Sequence, residues 1–150
     1  MKKPLSALYA FLQCTWGLPQ SFVGFCVFLA FLRCPHRVER GIVVTEWSRT
    51  DGVSLGLFVF FPPGESLRAH ELGHTIQSGL LGPLYLPAVC LPSFAWCGLP
   101  YFRRLRRERR IPYSRLYCEA WADRLGKRFP PLPRKKPPLP PSAAPTDEVK

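Results

Sequence analysis

A chain of 150 residues has room for one compact domain and no second large one. Its formal charge of +11 would suit a nucleic-acid binder, but 47% hydrophobic residues, four Trp and eleven Phe are too much apolar surface for a soluble basic module. No recognisable binding fold or base-stacking pattern accompanies the arginines, so the expectation is no nucleic acid, and a lipid bilayer with anionic headgroups as the partner of the charge.

Residues 1–36 read as a membrane anchor. Leu5 to Leu32 holds no charged residue and follows Lys2 and Lys3. As one helix at about 1.5 Å per residue it exceeds the roughly 30 Å hydrocarbon core, enough to span once but not twice. The expectation is an N-terminal transmembrane helix, kinked or interrupted at Gly17 and Pro19, with Gln13, Thr15 and Gln20 turned towards protein. The run is too long for a cleaved signal peptide and lacks an A-x-A-like site, and Gln13 is too large to precede a lipidated Cys14. Beyond it, Arg33, His36, Arg37 and Arg40 favour a cytoplasmic flank, against the weaker pull of Lys2 and Lys3.

Residues 37–129 read as the working domain, α+β and mainly helical. The β-rich segments Ile42 to Trp47 and Val53 to Phe60, separated by Ser48 to Gly52, predict a β-hairpin. Pro62-Pro63-Gly64 ends it, and Ser66 is placed to cap a helix starting near Leu67. That helix carries His70-Glu71-Leu72-Gly73-His74, an instance of H-E-x-x-H. Histidines four apart lie one turn above each other on one helix face, so both imidazoles reach one metal ion. Glu71 lies beside them as a general base for a metal-bound water. The competing reading is two polar histidines on an amphipathic helix.

A catalytic Zn2+ needs a third protein ligand and an open position. Glu119 and Asp123 stand at i and i+4 on a second predicted helix, so a ligating carboxylate and one that orients a ligating imidazole share a face. Glu119 is the first choice for the metal, ahead of Glu65, His36 and Asp123. By themselves Glu119 and Asp123 read as a solvated face beside Arg115 and Arg124; the pairing with HELGH reverses that. Between the two motifs, Gly79 to Leu99 holds no charge. A crossing there would carry Glu119 to the side opposite the histidines. Pro83, Pro87 and Pro92 disfavour a straight helix, so 79–99 reads as a re-entrant or membrane-embedded hairpin. It leaves Arg103 to Arg110 on the same face as Arg37 and Arg40.

The six cysteines, mostly within apolar runs and with no C-x-x-C, predict reduced, buried thiols. Residues 130–150 read as a proline-rich disordered tail. There is no internal repeat and no phosphate loop.

The pair His70-Glu71-Leu72-Gly73-His74 and Glu119-Ala120-Trp121-Ala122-Asp123 resembles the membrane gluzincins of the CaaX-prenyl-protease and HtpX kind, which pair H-E-x-x-H with a downstream E-x-x-A-D. The resemblance covers some twenty residues on two helices. It implies a zincin-like two-helix site, zinc on His70, His74 and Glu119, Glu71 as base, and peptide-bond cleavage near a membrane. Those enzymes are larger and place full spans between the motifs. Gly73 to Ser78 with Leu81 to Leu86 is also similar to a stretch of small uncharacterised bacterial membrane proteins, a likeness that implies no activity.

Two readings follow. The first is a membrane-bound zinc metallopeptidase of the cell membrane, its active site on the cytoplasmic side. The strand Val53 to Phe60 would offer an edge to a peptide or protein substrate, and Tyr113 or Tyr117 would serve the oxyanion. The second is a non-enzymatic small membrane protein with a structural or vestigial HExxH helix and a lipid-binding Arg cluster. In either, the small core points to support from lipid or from a homo-oligomer.

Overall fold

The computed structural model describes residues 3–39, 41–63 and 67–128. It is α+β and mainly helical, as the sequence leads one to expect. Ser66, Glu65, Arg40 and the proline-rich tail lie outside the described residues.

The uncharged N-terminal run is interrupted where expected, near Gly17 and Pro19, but it divides there into two separate helices. It forms α1 (Lys3–Thr15) and α2 (Leu18–Ala30), broken at Trp16-Gly17 with Pro19 in the first turn of α2. Among the described residues no helix is long and apolar enough to cross a membrane, which corrects the expected transmembrane helix. The physical reason lies in the polar residues of the run. Gln13, Gln20 and Ser21 are buried against protein, and Ser21 Oγ donates to the carbonyl of Gln13 across the break, 2.9 Å.

The sheet also differs from expectation. Strands β1 (His36–Glu39), β2 (Ile42–Glu46), β3 (Val53–Leu55) and β4 (Phe58–Phe61) lie in the order β1-β2-β4-β3. The predicted hairpin between the two β-rich segments does not form, because the second segment folds on itself. Gly56 takes φ +61° in a two-residue turn, which pairs β3 antiparallel with β4. The loop after β2, tied by Trp47 Nε1 to the Asp51 carbonyl (2.8 Å), then delivers β4 parallel to β2. The far edge is β1, antiparallel to β2. Its Arg37, expected at a membrane edge, is committed to Glu39 and Glu46 at 2.6 and 2.7 Å.

Both faces of the sheet are covered. Phe25 and Phe28 of α2 pack on Phe58. On the other face Ile42, Val44, Val59 and Phe61 form a core with Leu67 and Leu72, at and within α3 (Arg68–Leu81).

After α3 the uncharged segment stays helical but irregular: a 3₁₀ turn at Gly82–Leu84, a widened turn at Leu86–Cys90, then α4 (Leu91–Gly98). Pro92 has no N–H, and the Ala88 carbonyl four residues before it accepts instead from the Tyr117 hydroxyl. Tyr85 and Val89 pack with Cys118 in a second core, so one side of 79–99 is a wall of the protein. The chain turns at Leu99 into α5 (Pro100–Glu108), passes a 3₁₀ turn at Tyr113–Arg115 and ends the described part in α6 (Tyr117–Arg128). The cysteines are all free, as expected, but Cys14, Cys26 and Cys97 are exposed rather than buried.

Candidate metal centre

The centre lies where α6 crosses α3. The backbones meet without intervening side chains: a Cβ on Gly73 would stand 2.0 Å from the Ala122 carbonyl oxygen, and one on Gly126 would stand 2.1 Å from that of Ala69. Only glycine admits so close an approach, and it brings a carboxylate of α6 into the turn between the two histidines of α3. Glu119 Oε2 lies 3.0 Å from His70 Nε2 and 3.4 Å from His74 Nε2, and the two Nε2 atoms are 3.1 Å apart. Among the described residues, His70, His74 and Glu119 are the one group of His, Cys, Asp and Glu placed to share a metal ion.

The outer nitrogens decide what the inner ones offer. His70 Nδ1 stands 2.7 Å from Asp123 Oδ1, and His74 Nδ1 stands 2.8 Å from Gln77 Oε1. Gln77 Nε2 donates to the Cys118 carbonyl at 2.8 Å, which fixes its amide with the oxygen towards His74. Both Nδ1 atoms therefore carry hydrogen, and both Nε2 atoms turn a lone pair inwards. Glu119 is fully buried, and its Oε2 has no hydrogen-bond partner. Three lone-pair donors thus face one another, an arrangement that could share a cation at its centre. Ligand arms of about 2.0–2.1 Å in a tetrahedron give edges of about 3.3–3.4 Å, close to the observed triangle.

A proton is the smallest such cation. Burial disfavours the charged imidazole of His70, but Glu119 and Asp123 outweigh it and hold the pKa up at about 9. Burial likewise opposes the Glu119 carboxylate, and the two imidazoles more than offset it, so its pKa falls well below the usual range. His70, His74 and Glu119 together form a nitrogen–nitrogen–oxygen donor set that could hold a metal ion.

Glu71 is buried on the neighbouring side of α3. Ser54 Oγ of β3 lies 2.7 Å from its Oε2 and 2.8 Å from its backbone carbonyl, and burial raises its pKa. His70, Glu71 and His74 open on a cavity of about 580 Å³ whose wall includes Gly52, Val53, Leu67, Val89, Phe94 and Tyr113.

The structure thus brings together His70, His74, Glu119 and Asp123 and places Glu71 beside them. His36 stands apart in β1, exposed, with Nδ1 3.0 Å from the Cys34 carbonyl. Of the two tyrosines, Tyr113 lines the cavity, with its hydroxyl 3.2 Å from that of Ser93, whereas Tyr117 points outwards to Ala88. The expected substrate edge shrinks, because of the two strands that Val53 to Phe60 forms, β4 is interior and β3 alone lies at an edge. Its Ser54 carbonyl already accepts from Tyr85, 2.9 Å. Sequence reasoning missed Gln77 and Ser54. Gln77 was findable as the residue one turn beyond His74; Ser54 comes from another element and gave no local signal.

No family model, curated protein or solved structure matches this chain. The gluzincin resemblance therefore rests on the two sequence motifs alone.

Proposed function

We propose that the protein is a zinc-dependent metallopeptidase in which His70, His74 and Glu119 hold the metal and Glu71 is the general base. The observation that carries this reading is the convergence of two imidazole Nε2 atoms and a buried carboxylate oxygen on one point, beside a second buried glutamate whose carboxylate meets Ser54 Oγ. Zinc supplies a Lewis acid and a water acidified towards neutrality. Asp123 and Gln77 keep the two imidazoles in the tautomer and orientation that ligation needs. Glu71, its proton affinity raised by burial, is the carboxylate placed to take a proton beside the two histidines, and Ser54 Oγ holds it in place at 2.7 Å. Tyr113 and Ser93 also line the cavity, as candidate donors to a developing oxyanion.

An extended peptide is the substrate class that suits the cavity, because it is walled on one side by the chain leading into β3. Glu71→Gln tests the reading. The variant should bind zinc as the parent does and lose hydrolysis of a peptide library by about a hundredfold or more. Equal turnover by parent and variant would remove Glu71 as base and the peptidase with it.

A further inference from the structure

The N-terminal helices are built inside out. On α2, Gln20, Ser21 and Gly24 are buried, while Leu18, Phe22, Phe25 and Leu29 stand exposed at spacings of four, three and four, one unbroken helical stripe. On α1, Gln13 is 0% exposed and Phe11, two residues before it, is 64% exposed. The buried glutamines are engaged: Gln20 Nε2 donates to Ser78 Oγ (3.2 Å) and to the Gly82 carbonyl (3.0 Å). Water favours the reverse arrangement, so this outer face is one that calls for an apolar cover.

The stripe does not stop with α2. Trp16, itself half exposed, packs on Gly82, where the uncharged 79–99 segment begins. Leu84, Leu91 and Phe94 continue the exposed apolar surface along that segment. Neither uncharged run contains an acid, and each is followed by exposed arginines: Arg33 after α2, and Arg103, Arg104 and Arg107 on α5. Arg106 is not among them, since it lies over the rings of Trp96 and Tyr113.

We propose that this surface seats the protein in one leaflet of an anionic bilayer, with α1, α2 and the 82–98 segment lying in the interface and none crossing it. Two copies of a chain with charge +11 would repel across such a face, whereas anionic headgroups complement its basic rim. At about 1.5 Å per residue, a 13-residue helix reaches about 20 Å, short of the roughly 30 Å core but ample for a seat in one leaflet. Phe94 belongs both to the stripe and to the cavity wall, so the cavity opens at headgroup level. The seat stands independently of whether the metal centre hydrolyses anything.

The test uses the full chain and lipid vesicles, either pure phosphatidylcholine or with about a third phosphatidylserine. The chain should float with the anionic vesicles, and partition less into neutral ones. The native Cys14 and Cys26 should be protected from a membrane-impermeant maleimide added outside or trapped inside. Phe11→Glu with Phe22→Glu should lower vesicle partition by more than about tenfold while zinc content is retained. Arg103→Glu with Arg107→Glu should abolish the preference for anionic lipid. Labelling from the vesicle interior would establish a spanning segment and overturn the proposal. So would thiols protected without lipid in a dimer, which would make the face a contact between copies, or unchanged flotation of the Phe11/Phe22 variant.

Discussion

Replacing Gly73 by alanine probes the convergence of α3 and α6. The new Cβ would stand 2.0 Å from the Ala122 carbonyl oxygen, whereas ordinary contact begins at 3.4 Å, so the helices must give by about 1.4 Å. Backbone on both sides leaves no side chain to rotate away. Metal–ligand distances hold to about 0.2 Å, so a displacement several times larger takes Glu119 out of the triangle with His70 and His74. Overpacking of this kind costs about 1–3 kcal/mol, which for a chain of this size lowers Tm by roughly 2–12 °C. Zinc affinity should fall by about a hundredfold or more, measured by competition with a chelator of known affinity. Gly98→Ala is the internal control, since no atom lies within 4 Å of its added Cβ, and it should leave both quantities unchanged. A Gly73→Ala protein with lowered Tm but zinc affinity within about threefold of the parent would show that the site does not depend on the close crossing.

Three further outcomes follow from the same geometry. Asp123→Ala and Gln77→Ala should each weaken zinc binding by about ten- to a hundredfold without abolishing it, because each frees one imidazole to turn; unchanged affinity in both would mean that the imidazoles need no support. Gly52→Ala places a Cβ 2.1 Å from Glu71 Oε1, so peptide hydrolysis should fall while zinc content stays full; parallel loss of metal would place Glu71 among the ligands. In the metal-free protein, His70 binds its proton more tightly folded, at about 9, than at its ordinary 6.5. That stabilisation is fully present below about pH 6.5 and is lost as pH rises through about 9, so the Tm of chelator-treated protein should decline across this window. The zinc-loaded protein should not follow it, and parallel curves would contradict the assignment of His70 Nε2 to the metal.

The centre was largely legible in the sequence because it is local twice over. His70 and His74 share a face by helical period, Glu119 and Asp123 share one likewise, and the two pairs meet where α6 crosses α3. The sheet was not legible, because the pairing of β2 with β4 rather than β3 depends on a turn at Gly56 and on a loop held by Trp47 and Asp51. An uncharged run of this length satisfies a transmembrane helix and a pair of shorter helices equally well by composition. The distinguishing residues were Gln13, Gln20, Ser21 and Gly24, at spacings that put polar and small groups on the buried side, with Trp16-Gly17 between the helices.

Those buried polar groups have a common cause in α3. Glu71, His74, Thr75, Gln77 and Ser78 are all buried, so this helix presents polar atoms around most of its circumference inside the protein. Such a helix is stable only where each side finds partners, because a buried polar group left unpaired costs about 1–3 kcal/mol. Different elements supply them. Ser54 of β3 meets Glu71, and α6 meets His70 through Asp123 and Gln77 through the Cys118 carbonyl. On the side away from Glu119, Tyr9 donates to the Thr75 carbonyl at 3.0 Å, and Gln13 and Gln20 both reach Ser78 at 3.2 Å. The N-terminal helices must therefore turn their polar groups inwards to satisfy the helix that bears the histidines, and their apolar side chains have only the outside left. The inverted surface and the candidate metal centre are thus two consequences of one unusually polar core helix.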